Sequence, residues 1–238
     1  MRKINYLFES KSNFNLITTY LLHSFKIKIE KKKRKNFIKN YKNFLNKKKI
    51  TYDFFSRNVF DWFIILNKFE NKKFDYLEIG SFEGNSALFV LEYFKNSHLV
   101  CVDQWKQLHE KDGKNEGYEH LSIETVERNF DDNLKSYFSR ITKNKISSEL
   151  FFNKNNQKFD IVFVDGSHHA DDVAKDCMSS WSVLKKNGIL ILDDFFWKGY
   201  DDLKNNPAYA INQFLIKIKN KYKLINLTKF QLFLEKVN

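Results

Sequence analysis

The sequence predicts an α/β fold in which a mostly parallel sheet is covered by helices on both faces and is preceded by a basic helical arm. Three observations carry that expectation. Between residues 75 and 194, short apolar runs alternate with stretches of helical periodicity, the pattern of parallel strands joined by crossover helices. Four of the apolar runs end at Gly80, Asp103, Asp165 or Asp193, where such a sheet places its ligand-binding edge. The first 50 residues differ in charge: they carry 15 Lys/Arg against two Glu, whereas the remainder carries 26 basic against 27 acidic residues. The chain is therefore read as a helical extension over 1–50 and an α/β domain over 51–238.

Taken in order, residues 1–50 predict a helix, a bend at the charge run Lys31–Lys35, and a second helix. Residues 53–68 have apolar side chains at helical spacing and predict an amphipathic helix. Residues 75–79 predict a buried strand, 85–95 a helix, and His98–Val102 a strand ending at Asp103. Residues 104–120 are polar, contain two Gly and predict a loop. A helix over 121–136, a short strand near Arg140–Lys143, a strand over Phe159–Val164, a helix over 171–185 and a strand over Gly188–Leu192 follow. Tyr222–Leu227 and Phe230–Glu235, separated by Thr228–Lys229, predict an antiparallel hairpin.

Composition narrows the class. A chain of 238 residues with 42% hydrophobic content is long and apolar enough to bury a core. Cys101 and Cys177 fall in a strand and a helix without metal-ligand spacing or a disulfide framework, which suits a reducing cytoplasm. No apolar run reaches the roughly 18 residues of a membrane span. The stretch Phe14–Phe25 is interrupted by Asn15, Thr18, Thr19 and His23, so it does not read as a signal peptide. The basic arm suits nucleic acid or an anionic membrane surface, or else it is a solvated helix face in a Lys-rich chain.

Three motifs carry chemistry. Glu78-Ile79-Gly80-Ser81-Phe82-Glu83-Gly84-Asn85-Ser86 follows a strand and opens a helix. A glycine there allows a sharp turn and close approach of a ligand, and the helix presents free N–H groups. The spacing is neither that of dinucleotide nor of phosphate loops. It is the acidic-x-Gly-x-x-x-Gly pattern expected for S-adenosylmethionine (SAM), with Glu78, Gly80, Ser81, Gly84 and Ser86 as contacts. Asp103, about 20 residues on, is positioned to accept ribose hydroxyls, or it caps the following segment; Gln104 and Trp105 adjoin it, and Trp105 would pack on adenine or in the core. Asp165-Gly166-Ser167-His168-His169 and Asp193-Asp194 end neighbouring strands about 4.8 Å apart. Carboxylates that close repel unless a cation or protons offset them. Mg²⁺ on Asp165, Asp193 and Asp194 is one solution; the other has Asp194 as a helix cap. His168 is the general-base candidate, or a hydrogen-bonded structural group. His23, His98, His109 and His120 have no partner spacing, and His169 points elsewhere.

Together these motifs resemble the class I SAM-dependent methyltransferases, in particular the macrocin O-methyltransferase-like enzymes. The resemblance covers residues 52–238: Asp53–Asn58, YLEIGSFEGNSAL, Val102–Trp105, FDIVFVDGSHHADDVAKD, LKKNGILILDDFFW, then Pro207, Ala210–Leu215 and Phe230-Gln231. It implies a Rossmann-like, seven-stranded sheet with an antiparallel last strand, and SAM contacts at Glu78–Gly84 and Asp103. It also implies Mg²⁺ at Asp165, Asp193 and Asp194, and a base at His168 working beside Asp165. Ser167 stands where some relatives carry a second acid, and the loop after Trp105 departs from the family pattern. The expected function is Mg²⁺-assisted O-methylation of a hydroxyl on a small molecule or glycan. The rivals are an RNA-modifying methyltransferase using the basic arm and a SAM-binding or membrane-surface module without turnover. Oligomeric state is not encoded in any motif.

Overall fold

A computed structural model describes residues 2–106 and 122–238. Most of the loop assigned to 104–120, with His109 and His120, lies outside the described residues. The arm forms α1 (Arg2–Glu9), α2 (Phe14–Ile29) and α3 (Lys31–Leu45). The bend falls at Glu30, just ahead of the charge run Lys31–Lys35, which is itself helical and opens α3, and a second break separates α1 from α2. There Lys11 is left-handed at φ 54°, and the Asn13 side chain accepts the Leu16 N–H at 3.0 Å, capping α2.

The helix expected from residue 53 begins later, as α4 (Val59–Leu66). The Asp53 Oδ1 accepts the Ser56 N–H at 2.9 Å, and this local turn competes with helix over 53–58. β1 (Phe74–Ile79), α5 (Asn85–Tyr93), β2 (Ser97–Asp103), α6 (Ile123–Leu134) and β3 (Ile141–Lys145) follow. Next come α7 (Ser148–Lys154), β4 (Phe159–Val164), α8 (Ala170–Val183), β5 (Leu184–Leu192), α9 (Pro207–Lys217), β6 (Tyr222–Leu227) and β7 (Leu232–Lys236). Helices α7 and α9 stand where the sequence reading assigns no element. The short α7 depends on a Ser147 cap, and α9 starts with Pro207 at its first turn, a placement that suits proline.

The seven strands lie in the order β3-β2-β1-β4-β5-β7-β6. β1 to β5 are mutually parallel, and β7 runs antiparallel between β5 and β6. Strand residues alternate between two cores, as the two-residue period demands. Val162, Val164, Leu190 and Leu192 face α1, α2, α7, α8 and α9. Ile161, Phe163, Ile189 and Ile191 face α3 to α6. The arm thus contributes to both layers, through Leu7, Leu16 and Tyr20 on one face and Tyr41 and Leu45 on the other. A buried ion pair ties α3 to α4: Arg34 Nη1 donates to Asp61 Oδ1 at 2.9 Å, and Nη2 engages Oδ2. His23, which showed no partner spacing, is buried beside it, 3.8 Å from Asp61 Oδ1 and 3.2 Å from Asn226 Nδ2. Cys101 and Cys177 are both buried and unpaired.

Candidate active site

Strand register assembles the crevice. Ile79 pairs with Val102 and Val164, and Val164 with Leu192. The next residue of each strand therefore reaches one edge, which sets Gly80, Asp103, Asp165 and Asp193 in a row. Gly80 has φ +87°, and a Cβ there would lie 1.9 Å from the Asp165 carbonyl oxygen. Only glycine lets the two backbones pass so closely. Gly84 is also left-handed, at φ +79°, and begins α5.

The loop between them is fastened to Asp103. Asp103 Oδ2 accepts the Phe82 N–H at 2.9 Å and Oδ1 accepts the Trp105 N–H at 2.7 Å. Burial raises the Asp103 pKa, and the amides of Trp105, Phe82 and Ser81 oppose that rise. The Trp105 indole is 3% exposed, donates Nε1–H to the Phe82 carbonyl at 2.9 Å and packs against Phe130. The structure thus gives Trp105 the core placement, with its ring withheld from the crevice. Gln104 is partly exposed beside it.

Glu78 is fully buried, and burial raises its carboxyl to about 8. The Ser86 hydroxyl donates to Glu78 Oε1. Glu78 Oε2 and Ser81 Oγ are buried without a hydrogen-bond partner among the described residues. Unmet polar atoms at such depth are costly. They face the need that the charged amino-acid end of SAM would meet, so the residues present fit that ligand.

At the other end of the row, His168 Nε2 lies 2.7 Å from Asp194 Oδ2, and its ring stacks on Trp197 at 4.7 Å. Asp194 does not cap a helix; it holds a left-handed backbone at φ 55°. Asp193 Oδ1 accepts the Asp194 N–H at 2.7 Å, and Oδ2 accepts Gln231 Nε2–H at 2.8 Å. Gln231 Oε1 in turn accepts the Trp62 indole N–H at 2.7 Å. Burial and the neighbouring carboxylates push Asp165 well above the usual range and Asp193 to about 7. His169 caps α8 through Nδ1, which accepts the Asp171 N–H at 3.4 Å.

Asp165, Asp193 and Asp194 are therefore brought together, yet among the described residues no group of three His, Cys, Asp or Glu side chains is arranged to hold a metal ion. Both Asp193 oxygens and Asp194 Oδ2 are committed to protein partners. The Asp194 N–H and the Gln231 amide offset part of the charge on Asp193.

Four residues of the site were not singled out from sequence. Glu83, 1% exposed, accepts from the Thr51 N–H at 2.7 Å and Asn129 Nδ2 at 2.7 Å, tying the Gly80–Gly84 loop to the arm's end and to α6. Gln231 orients Asp193. The Arg57 guanidinium lies 3.7 Å from the Phe230 ring centroid, and Lys3 Nζ lies 4.6 Å from the same centroid. Burial, with Arg57 and Lys229 nearby, lowers the Lys3 ammonium to about 8. Glu83 was legible as an acid inside a glycine loop; Lys3 and Arg57 depend on long-range packing that no local pattern announces.

The sheet order, the glycine turn after β1 and the acids ending β2, β4 and β5 define a class I SAM-dependent methyltransferase fold. A sequence model of the family described as methyltransferase domain matches residues 77–195, half of the chain, from β1 to just past the acidic pair. The chain belongs to this methyltransferase family. It is 26% identical over 157 residues to the uncharacterised protein R132 of Acanthamoeba polyphaga mimivirus, over 65% of each chain. Its fold is similar to MycE, a methyltransferase of the mycinamycin pathway seen with Mg, S-adenosylhomocysteine (SAH) and mycinamycin VI. That match has a TM-score of 0.55 at 15% identity and covers 79% of this chain and 51% of MycE. It is also similar to the O-methyltransferase TomG of Streptomyces achromogenes bound to SAM, with a TM-score of 0.57 at 11% identity, covering 77% and 81%. The chain thus spans less than two thirds of the viral relative and about half of MycE.

Proposed function

We propose that this chain transfers the methyl group of SAM to a hydroxyl on a small molecule or glycan, with His168 as the base. When bound, SAM supplies an electrophilic methyl on a sulfonium sulfur. The chain's contribution is then to position the acceptor oxygen in line and receive its proton. The observation that carries this reading is the His168–Asp194 pair, 2.7 Å apart at the same sheet edge as the Asp103-fastened loop. Asp194 Oδ2, 2.7 Å from Nε2, orients the ring and stabilises the imidazolium that forms when the acceptor's proton is received. Burial, with Asp193 and Asp194 alongside, pushes the Asp165 carboxyl well above the usual carboxylate range. The proposed reaction contains no step through a metal. MycE, seen with mycinamycin VI, and TomG, an O-methyltransferase involved in tomaymycin synthesis, support a small-molecule acceptor.

Calorimetry with SAM and SAH tests the cofactor site. Wild type is expected to bind both, and Asp103→Ala to bind more weakly by roughly tenfold or more, the worth of charge-assisted hydrogen bonds. Absence of binding in wild type would remove the enzymatic reading. Once an acceptor is found, EDTA is expected to leave turnover unchanged, and a strict Mg²⁺ requirement would overturn the metal-free form of the proposal.

A further inference from the structure

Helix α2 is apolar on two faces, and only one is covered. Leu16, Tyr20 and His23 are buried toward the sheet edge at β6. Phe14, Leu21, Leu22, Phe25 and Ile29 point away from it and are between 46% and 76% exposed. At 3.6 residues per turn these five side chains fall within an arc of roughly 100°, opposite the buried face. Lys26 and Lys28 project on either side of that arc, both exposed, and Lys31, Lys32, Lys33 and Lys35 extend the positive charge along the start of α3. A helix apolar all round belongs in an interior, so this outward stripe lacks a partner within the described chain. Contiguous apolar surface of this kind marks an interaction site.

We propose that the outward face of α2 docks on an anionic lipid surface, lying in the plane of the headgroups with Phe14, Leu22, Phe25 and Ile29 inserted. Charge decides the occupant. Residues 1–50 carry a surplus of 13 positive charges, which an anionic bilayer attracts and which two copies of this chain brought face to face would oppose. An apolar stripe bordered by lysines is the arrangement that binds such interfaces. None of the described helices is long and apolar enough to cross the membrane, so the contact is peripheral.

The test is co-sedimentation of the full chain with vesicles of phosphatidylcholine alone or mixed with phosphatidylserine, at low and high salt. Wild type is expected to sediment with the mixed vesicles and to be released by salt. Leu22→Asp/Phe25→Asp is expected to lose binding on the order of 100-fold, since it removes two inserted side chains. Lys26→Gln/Lys28→Gln is expected to lose about fivefold per lysine. Both variants change exposed positions, and unaltered melting temperatures would show that they fold. Wild type remaining in the supernatant, or the Asp variant sedimenting equally, would overturn the proposal. So would light scattering that finds a wild-type dimer which Leu22→Asp/Phe25→Asp converts to a monomer, because the face would then belong to a second copy.

Discussion

Three residues beside the crevice hold a left-handed backbone without being glycine: Phe82 at φ 46°, Trp105 at 40° and Asp194 at 55°. Each such conformation costs about 1–2 kcal/mol and persists only where its surroundings enforce it. Here the Asp103 carboxylate grips the first two by their amides, and the Asp193 carboxylate grips the third. Gly80→Ala would force a Cβ into the Asp165 carbonyl, and the expected loss is about 2–4 kcal/mol of stability from strain and overpacking. A melting temperature equal to wild type would refute that geometry. His168→Ala is expected to lower kcat by about 10²–10⁴-fold while SAH affinity is retained, measured by methyl transfer and calorimetry side by side. These positions were largely readable in advance, because acids and glycines at strand ends have few other reasons to recur. The state of the acids was not readable, since burial and the Gln231–Trp62 relay arise from residues far away in the chain.

The union of α3 with α4 depends on Arg34 and Asp61, both nearly buried. Removing one partner leaves the other charge stranded, so Asp61→Ala is expected to cost about 3–5 kcal/mol. Chemical denaturation should show it as a lower midpoint with an unchanged slope. A midpoint within error of wild type would mean that the pair is dispensable. Periodicity foretold the strands and most helices of this architecture, whereas the charge run put the bend at Lys31–Lys35 and the helix breaks at Glu30 instead. Periodicity missed α7, which is seven residues long and buries only Phe151, and it missed α9 although Ala208, Ile211 and Leu215 mark a face there. It overran the start of α4, because an Asx turn at Asp53 outcompetes a helical pattern that continues through it.

Across the molecule, buried acids make ligand-free stability depend on pH. Glu78 is raised to about 8 and Asp176 to about 6, each chiefly by burial. Between the ordinary carboxyl pKa and these values the unfolded chain ionises while the fold keeps its proton, so stability is present at low pH and is lost as pH rises. Glu78→Gln abolishes the Glu78 share. The melting temperature of the variant minus that of wild type is expected to climb from pH 5 to pH 8, in protein free of SAM. A difference independent of pH would show that Glu78 titrates normally. Two-layer coverage of a mostly parallel sheet was legible from alternation alone. The packing of α1 and α2 into one of those layers was not, because Tyr6 and Tyr20 meet Phe196, far along the chain.

That distance has a consequence for synthesis. His23 in α2 meets Asn226 in β6 at a separation of 203 positions, and β7 must slot between β5 and β6 before that edge exists. At translation speeds of about 5–20 residues per second, α2 waits roughly 10–40 s with neither apolar face covered. During that interval the helix that later rests on the sheet edge is a greasy, cationic segment emerging near the ribosome, open to whatever surface reaches it first.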